Sequence, residues 1–243
     1  MSTLGIIPAR YASTRFPGKP LANINGKSML QRVYERAQLA KLLDAVIIAT
    51  DDYRIFDHAM SFQANVIMTD PNHPSGTDRC AEVATLLNNY DIVVNIQGDE
   101  PFIEPASIDL VIELLQNGAP IATLAKQIDT HADLVNPNVV KVTFDENRKA
   151  LDFSRQPIPV VNNVSLHQAL KNGVFYKHIG LYGFQRATLL EITRLPQGER
   201  EKAASLEQLR WLDAGYPIFV NFTQAKTVSI DTPEDLTKVR SLA

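Results

Sequence analysis

Three short, unbroken apolar runs constrain this chain most. Residues 4–7, 45–50 and 92–94 are runs of apolar and β-branched residues, too short for buried helices and lacking the polar alternation of a half-exposed strand. Strands of that kind are covered on both faces, as in parallel sheets. Helical patterns fill the gaps. Met29, Leu30, Val33, Tyr34 and Ala37 share one face of a helix reaching about residue 40, opened by a capping box in which Ser28 and Gln31 satisfy free backbone N–H groups. Asp51-Asp52 ends the second run and starts another helix, residues 66–68 read as a further short strand, and the turn from His73 to Arg79 opens a third helix. Repeated strand and helix in this order imply right-handed βαβ units, hence an α/β fold on a mostly parallel sheet.

In such sheets ligands bind where loops leave the carboxyl ends of the strands. The loop after the first run is Pro8-Ala9-Arg10-Tyr11-Ala12-Ser13-Thr14-Arg15-Phe16-Pro17-Gly18-Lys19-Pro20. It carries Arg10, Arg15 and Lys19, and no acid occurs before Glu35, although the whole chain has a formal net charge of -3. Arg forks together with one Lys point charge suit phosphate; the plainer alternative is a solvated loop paired with acids elsewhere. The loop after residues 92–96 is Gln97-Gly98-Asp99-Glu100-Pro101, which should open at the same sheet edge. Phosphate beside carboxylate calls for a bridging cation, and Mg²⁺ takes one or two carboxylates together with phosphate oxygens. Asp99 is the first candidate ligand, ahead of Glu100, and Asp231 the second; both also read as ordinary turn residues. Ser75 or Thr77 can equally serve as a helix cap.

The second half has a different texture. Residues 121–128, 139–144 and 150–153 are short segments joined by Asn-, Asp- and Pro-containing turns, which suggests antiparallel or mixed strands. Residues 156–172, with Pro157, Pro159, Asn162 and Asn163, read as a protruding connection, and residues 174–184 as a further strand. Residues 205–212 are helical in pattern, with Ser205 and Gln208 as a second capping box, and Thr232 is the expected cap of a last helix. Gly18-Lys19 is followed by Pro20 and lacks the glycine spacing of a P-loop, and there is no G-x-G-x-x-G, G-x-S-x-G or H-E-x-x-H pattern. The near-neutral balance argues against nucleic acid as a partner. No apolar run approaches the ~20 residues of a membrane span. The single Cys80 excludes a disulfide framework and reads as a buried small hydrophobe; a cytoplasmic protein is the expectation.

Taken together, these motifs resemble the CMP-Kdo synthetase, or 3-deoxy-manno-octulosonate cytidylyltransferase, family. The likeness starts in the run from Ile7 to Leu21 and continues in order through Ala49-Thr50-Asp51, Ser75-Gly76-Thr77-Asp78-Arg79, Asn95-Ile96-Gln97-Gly98-Asp99-Glu100-Pro101, Phe153-Ser154-Arg155, His178-Ile179-Gly180-Leu181-Tyr182-Gly183, Ser205-Leu206-Glu207-Gln208-Leu209-Arg210 and Ile230-Asp231-Thr232-Pro233-Glu234-Asp235. The chain departs from the family's Tyr-Phe-Ser-Arg at Asp152 and from its Gly-Tyr-Arg at Phe184 and Gln185.

The resemblance implies a Rossmann-like nucleotidyltransferase fold with a mixed α/β dimerisation lobe inserted at about residues 120–190, and a homodimer. It implies the reaction of CTP with Kdo to give CMP-Kdo and pyrophosphate, which feeds lipopolysaccharide assembly. Ala9, Arg10, Ser13, Arg15 and Lys19 would hold the triphosphate, with Ser75, Gly76, Thr77 and Arg79 beside the cytidine. Asp99 and Asp231 would bind Mg²⁺. Gln97, Arg155, His178, Tyr182, Glu207 and Gln208 would form the sugar-acid pocket. Among these, Arg10, Arg15, Lys19, Asp99 and Asp231 are the expected catalytic set, because phosphoryl transfers rest on positioning and charge neutralisation. An 8-amino-Kdo acceptor, a sialic acid acceptor, and a nucleotide-binding regulator without turnover are the alternative readings.

Overall fold

The structure, a computed structural model, describes residues 1–12, 16–160, 165–226 and 228–240. β1 (Thr3–Ala9) leads to a 3₁₀ turn (Lys19–Leu21), the two-residue strands β2 (Asn23–Ile24) and β3 (Lys27–Ser28), and α1 (Met29–Ala37). Ser28 caps α1 by accepting the Gln31 N–H at 3.1 Å. The expected reciprocal half of that box is absent, because the Gln31 amide donates forward to Glu35 Oε1 at 3.0 Å, one turn along the helix. Next come β4 (Ala45–Thr50), α2 (Tyr53–Ser61), β5 (Val66–Met68), α3 (Gly76–Leu86), β6 (Ile92–Asn95), α4 (Pro105–Gln116) and β7 (Ile121–Gln127). The chain then leaves the sheet through α5 (His131–Val135), β8 (Lys141–Phe144), β9 (Ala150–Ser154) and α6 (Leu166–Lys171). It returns as β10 (Tyr176–Gln185) and closes with α7 (Arg186–Ile192), α8 (Glu199–Ala204), α9 (Gln208–Asp213), β11 (Ile218–Phe222) and α10 (Pro233–Arg240).

The sheet order is β11-β7-β10-β6-β1-β4-β5, with the β8–β9 hairpin attached to β10. Every neighbouring pair along that path is parallel except the two made by β10. From β1 the chain steps outward to β4 and β5, then crosses back to place β6 on the other side of β1. The strand order therefore reverses between β1 and β6, and the loops leaving those two strands face each other across the crevice where open α/β sheets bind ligands.

Both faces are covered, as the unbroken apolar runs require. Ile7 and Ala9 pack with α1, α2 and α4, while Leu4 and Ile6, on the opposite side of the same strand, pack with α3, α7 and α9. Close approach fixes Gly183 on β10: a Cβ there would lie 2.5 Å from both Leu115 Cδ1 and Val111 Cγ1 of α4. A smaller core of Ile128, Leu134, Ala169, Leu170 and Phe175 forms beneath the excursion between β7 and β10.

Two details differ from expectation. The Ser205–Gln208 box does not form: Ser205 follows α8 in a left-handed conformation, φ 52°, and α9 begins only at Gln208. The chain has to turn sharply there to bury Leu206. Helices α7 and α8 and strand β11 also lack distinct sequence signals, since each is short and borrows its order from packing. Thr232 does cap α10, accepting the Asp235 N–H at 3.3 Å while Asp235 Oδ2 accepts the Thr232 N–H at 3.1 Å.

Candidate active site

Glycines let the strand-end loops converge. Gly98 sits so that a Cβ would lie 3.1 Å from the Pro8 carbonyl oxygen, and one on Gly76 would lie 3.2 Å from Pro8 Cγ. The basic loop is closed by the Gly18 N–H donating to the Tyr11 carbonyl at 2.9 Å. Gly18 adopts φ 71° against the Tyr11 ring, a conformation costly for any side chain. Behind the loop, Phe16 and Phe102 pack on Ile24, Met29, Ile230 and Leu236, which anchors α10 and brings Asp231 to the sheet edge. The Ile230 N–H donates to the Asp99 carbonyl at 3.0 Å and fixes that approach.

The outcome is a cation held between two acids. Lys19 Nζ lies 2.7 Å from Asp99 Oδ2 and 3.3 Å from Asp231 Oδ1, across sequence separations of 80 and 212 residues. The Lys19 side chain is only 15% exposed, so this pairing is sheltered from solvent screening. Arg10 is exposed at the end of β1 and Ala9 is buried. Ser13 and Arg15 lie outside the described residues. Glu100, next to Asp99, is driven by burial and by the Asp99 charge up to about 7.

A second cluster gathers at the start of α3. Ser75 Oγ caps that helix by accepting the Asp78 N–H at 3.1 Å, and its proton is shared between Asp78 Oδ2 at 2.6 Å and Glu207 Oε1 at 3.0 Å. Thr77 Oγ1 donates to Glu207 Oε2 at 2.8 Å. Burial, the largest effect, raises the pKa of the Glu207 carboxyl; the two hydroxyls act against it. Arg79 is fully buried and committed to Asp51 Oδ2, 3.1 Å away, and to the Thr69 hydroxyl. It thus ties α3 to the ends of β4 and β5. Cys80 beside it is also fully buried, and burial pushes its thiol far up.

The remaining predicted residues surround β10. Between Ile179 and Tyr182 the register with β7 shifts, and Thr123 fills the irregularity. Its hydroxyl proton is directed at the carbonyls of Leu181, at 2.9 Å, and Ile179, at 3.2 Å. That single proton leaves the Thr123 oxygen to accept from His178 Nε2, 2.9 Å away, so the imidazole carries its proton on Nε2. Burial pushes His178 down to about 3, and its ring lies between those of Phe153 and Tyr182, each with its centroid 5.1 Å away. It is a neutral hydrogen-bonding group. The Tyr182 hydroxyl is buried without a hydrogen-bond partner among the described residues, and Asn95 Oδ1, directly opposite on β6, is in the same condition. Gln97 is half-buried beyond β6, and Gln208 is buried at the start of α9. Arg155 donates to three backbone carbonyls: Nε to Ala204 at 2.6 Å, Nη1 to Pro137 at 3.1 Å and Nη2 to Ser205 at 3.2 Å. Among the described residues, one N–H on each terminal nitrogen remains for another acceptor.

Sequence reasoning overlooked Thr123, Asn95 and a fully buried Lys141. Asn95 stood inside a quoted motif, and its place at the end of a buried strand was the available signal. Thr123 and Lys141 gave none, since an irregular strand pairing and a lysine bonded to backbone carbonyls leave no pattern.

Known proteins match this geometry along the whole chain. The family profile described as Cytidylyltransferase matches residues 4–230. The chain is 50% identical to the 3-deoxy-manno-octulosonate cytidylyltransferase of Parabacteroides distasonis, covering 98% of this chain and 96% of that one. It is likewise 50% identical to the enzyme of that name from Bacteroides thetaiotaomicron, covering 97% and 96%. A solved structure of CMP:2-keto-3-deoxy-manno-octonic acid synthetase in complex with CTP superposes with a TM-score of 0.92 at 40% identity, covering 100% of this chain and 98% of that one. With its mostly parallel sheet, its strand-end crevice and these full-length matches, the chain belongs to the cytidylyltransferase family, among the 3-deoxy-manno-octulosonate cytidylyltransferases.

Proposed function

We propose that the protein transfers a cytidylyl group from CTP to the 2-hydroxyl of 3-deoxy-manno-octulosonate, giving CMP-Kdo and pyrophosphate for lipopolysaccharide assembly. The observation that carries this reading is the convergence of Lys19, Asp99 and Asp231 at the β1/β6 crevice of a chain in this family. The hydroxyl oxygen forms a bond to the α-phosphorus, the bond from that phosphorus to the bridging oxygen breaks, and pyrophosphate leaves. The proton of the hydroxyl passes to solvent. His178, neutral and with its Nε2 proton spent on Thr123, serves as a polar contact and not as the base.

Arg10, Arg15 and Lys19 take the triphosphate, helped by Ala9 and Ser13. Ser75, Gly76 and Thr77 lie on the cytidine side, with Arg79 supporting their helix from beneath. Two carboxylates within reach of one ammonium can also share a divalent ion, so the donor set suits Mg²⁺, held by Asp99 and Asp231. When bound, that ion supplies positive charge next to the phosphates. Arg155, with two N–H groups still available, meets the carboxylate of the sugar acid, while Gln97, His178, Tyr182, Glu207 and Gln208 meet its hydroxyls. The excursion between β7 and β10, within about residues 120–190, serves as the contact of a homodimer. The protein works in the cytoplasm; among the described residues no helix is long and apolar enough to cross a membrane.

The test is pyrophosphate release from CTP and Mg²⁺ with Kdo, 8-amino-Kdo or sialic acid as acceptor. Release with Kdo in preference to the other two is expected. CTP binding without release on any acceptor would sink the enzymatic reading.

A further inference from the structure

Lys141 is one of the largest wholly enclosed side chains among the described residues, and no carboxylate among them is bonded to it. Its ammonium donates to two backbone carbonyls, Asn136 at 2.8 Å and Arg155 at 3.0 Å. Placing an ammonium inside a protein on neutral acceptors is costly, because the lost hydration is only partly returned. Burial accordingly lowers its pKa, while the nearby Asp133 acts in the opposite direction. Asp133 is itself bonded to Lys177 Nζ at 3.0 Å. An apolar residue would fill this space at less cost, so the reason for a lysine lies in what its two bonds hold.

Those bonds flank a single group. Asn136 precedes Pro137, whose carbonyl accepts from Arg155 Nη1 at 3.1 Å, and the second acceptor is the Arg155 backbone itself. The other two guanidinium contacts are the carbonyls of Ala204 and Ser205, just before Glu207 and Gln208. In the hairpin Lys141 pairs with Ser154, the residue before Arg155, and across β10 it pairs with Lys177, the residue before His178. The Val140 carbonyl accepts the His178 N–H at 2.8 Å. One buried cation therefore stands where the backbones carrying Arg155 and His178 meet.

We propose that Lys141 is a positioning residue for the sugar-acid pocket. By holding the Asn136 and Arg155 carbonyls it sets the plane and reach of the Arg155 guanidinium, and so the alignment of its two unspent N–H groups with an acceptor carboxylate. This rests on the assignment of Arg155 to the sugar acid made above. Among the described residues Lys141 bonds only to the Asn136 and Arg155 carbonyls and not to Lys19, Asp99 or the residues opening α3, so its influence falls first on the sugar acid.

The experiment is steady-state kinetics of Lys141→Met, which keeps the chain length and removes the charge. KM for Kdo should rise by about tenfold to a hundredfold, as expected when a binding group is misplaced by about 1 Å, with KM for CTP and direct CTP binding within about twofold of wild type. A rise of both KM values together, or an unchanged KM for Kdo, would overturn the proposal. If Lys141→Met does not fold, Lys141→Ala is assayed with n-propylammonium, which replaces the missing atoms, and with n-propanol as the uncharged control. Recovery of KM for Kdo by the amine alone supports the proposal, and no recovery by the amine refutes it. Wild-type turnover with Kdo and the effect of Arg155→Gln on KM for Kdo test the underlying assignment separately, so the two can fail independently.

Discussion

Replacing His178 by Gln should change how stability depends on pH more than it changes stability at neutral pH. Gln retains a side-chain N–H near the position of Nε2, so a donor to Thr123 survives while the titrating ring is lost. In the folded protein burial lowers this histidine from 6.5 to about 3. Above the ordinary value both the folded and unfolded forms are neutral and pH has no effect through this group. Below it the unfolded chain takes up a proton that the folded one refuses, so stability falls with pH from about 6.5 until about 3 is reached. At about pH 5 the difference is some 1.5 pH units, or about 2 kcal/mol. For a chain of this size that corresponds to about 4–8 °C in Tm. Thermal unfolding followed by circular dichroism at about pH 7.5 and pH 5 should show the wild-type Tm dropping further than that of the variant by this amount. Glu100 moves in the opposite direction: its carboxyl, raised to about 7, contributes stability at low pH that is lost as pH rises through that value. That contribution is common to both proteins and cancels in the comparison. Equal pH slopes for wild type and His178→Gln would refute the enclosed, neutral imidazole.

The remaining predictions bear on packing and on the crevice. Gly183→Ala sets a methyl 2.5 Å from two side chains of α4. Such overpacking costs about 1–3 kcal/mol, and calorimetry should show a Tm lower by about 2–12 °C, whereas an unchanged Tm would mean that α4 shifts at no cost. Lys19→Met removes the ammonium shared by Asp99 and Asp231; a charge-assisted hydrogen bond is worth about 1.5–3 kcal/mol, so Mn²⁺ should bind without nucleotide about tenfold or more tightly, as read by electron paramagnetic resonance. Weaker Mn²⁺ binding in that variant would show that Lys19 does not compete for the site. Asp99→Asn should abolish pyrophosphate release and leave the circular dichroism spectrum unaltered, since the backbone bond from Ile230 is untouched. Substantial turnover at saturating Mg²⁺ would remove Asp99 from the catalytic set.

What could be read from the sequence was whatever strand ends and periodicity dictate. The unbroken runs around Ile7, Ile48 and Val94 required a sheet covered on both faces, and the order of strands and helices placed the Arg10–Lys19 loop and the Gly98-Asp99 turn on one edge. That argument alone brought Lys19 to Asp99 over 80 positions. Asp231 was legible as a second carboxylate, but not the route that brings it to Lys19 over 212 positions, because the apolar seat formed by Phe16, Ile24 and Ile230 is assembled from distant segments. Ser75 and Thr77 were legible as hydroxyls at a helix start, yet their bonds to Glu207 depend on how α8 and α9 fold back over α3, and the left-handed Ser205 that permits this looked like an ordinary cap. Least legible were Arg155 and Lys141, whose partners are backbone carbonyls. Every residue offers a carbonyl, so no spacing of side chains marks which ones a buried cation will take. The phosphate side is specified by side-chain charge and the sugar side by backbone geometry. Substitutions on the surface of the excursion that leave Lys141 and Arg155 in place should therefore alter the sugar pocket less than one change at either cation.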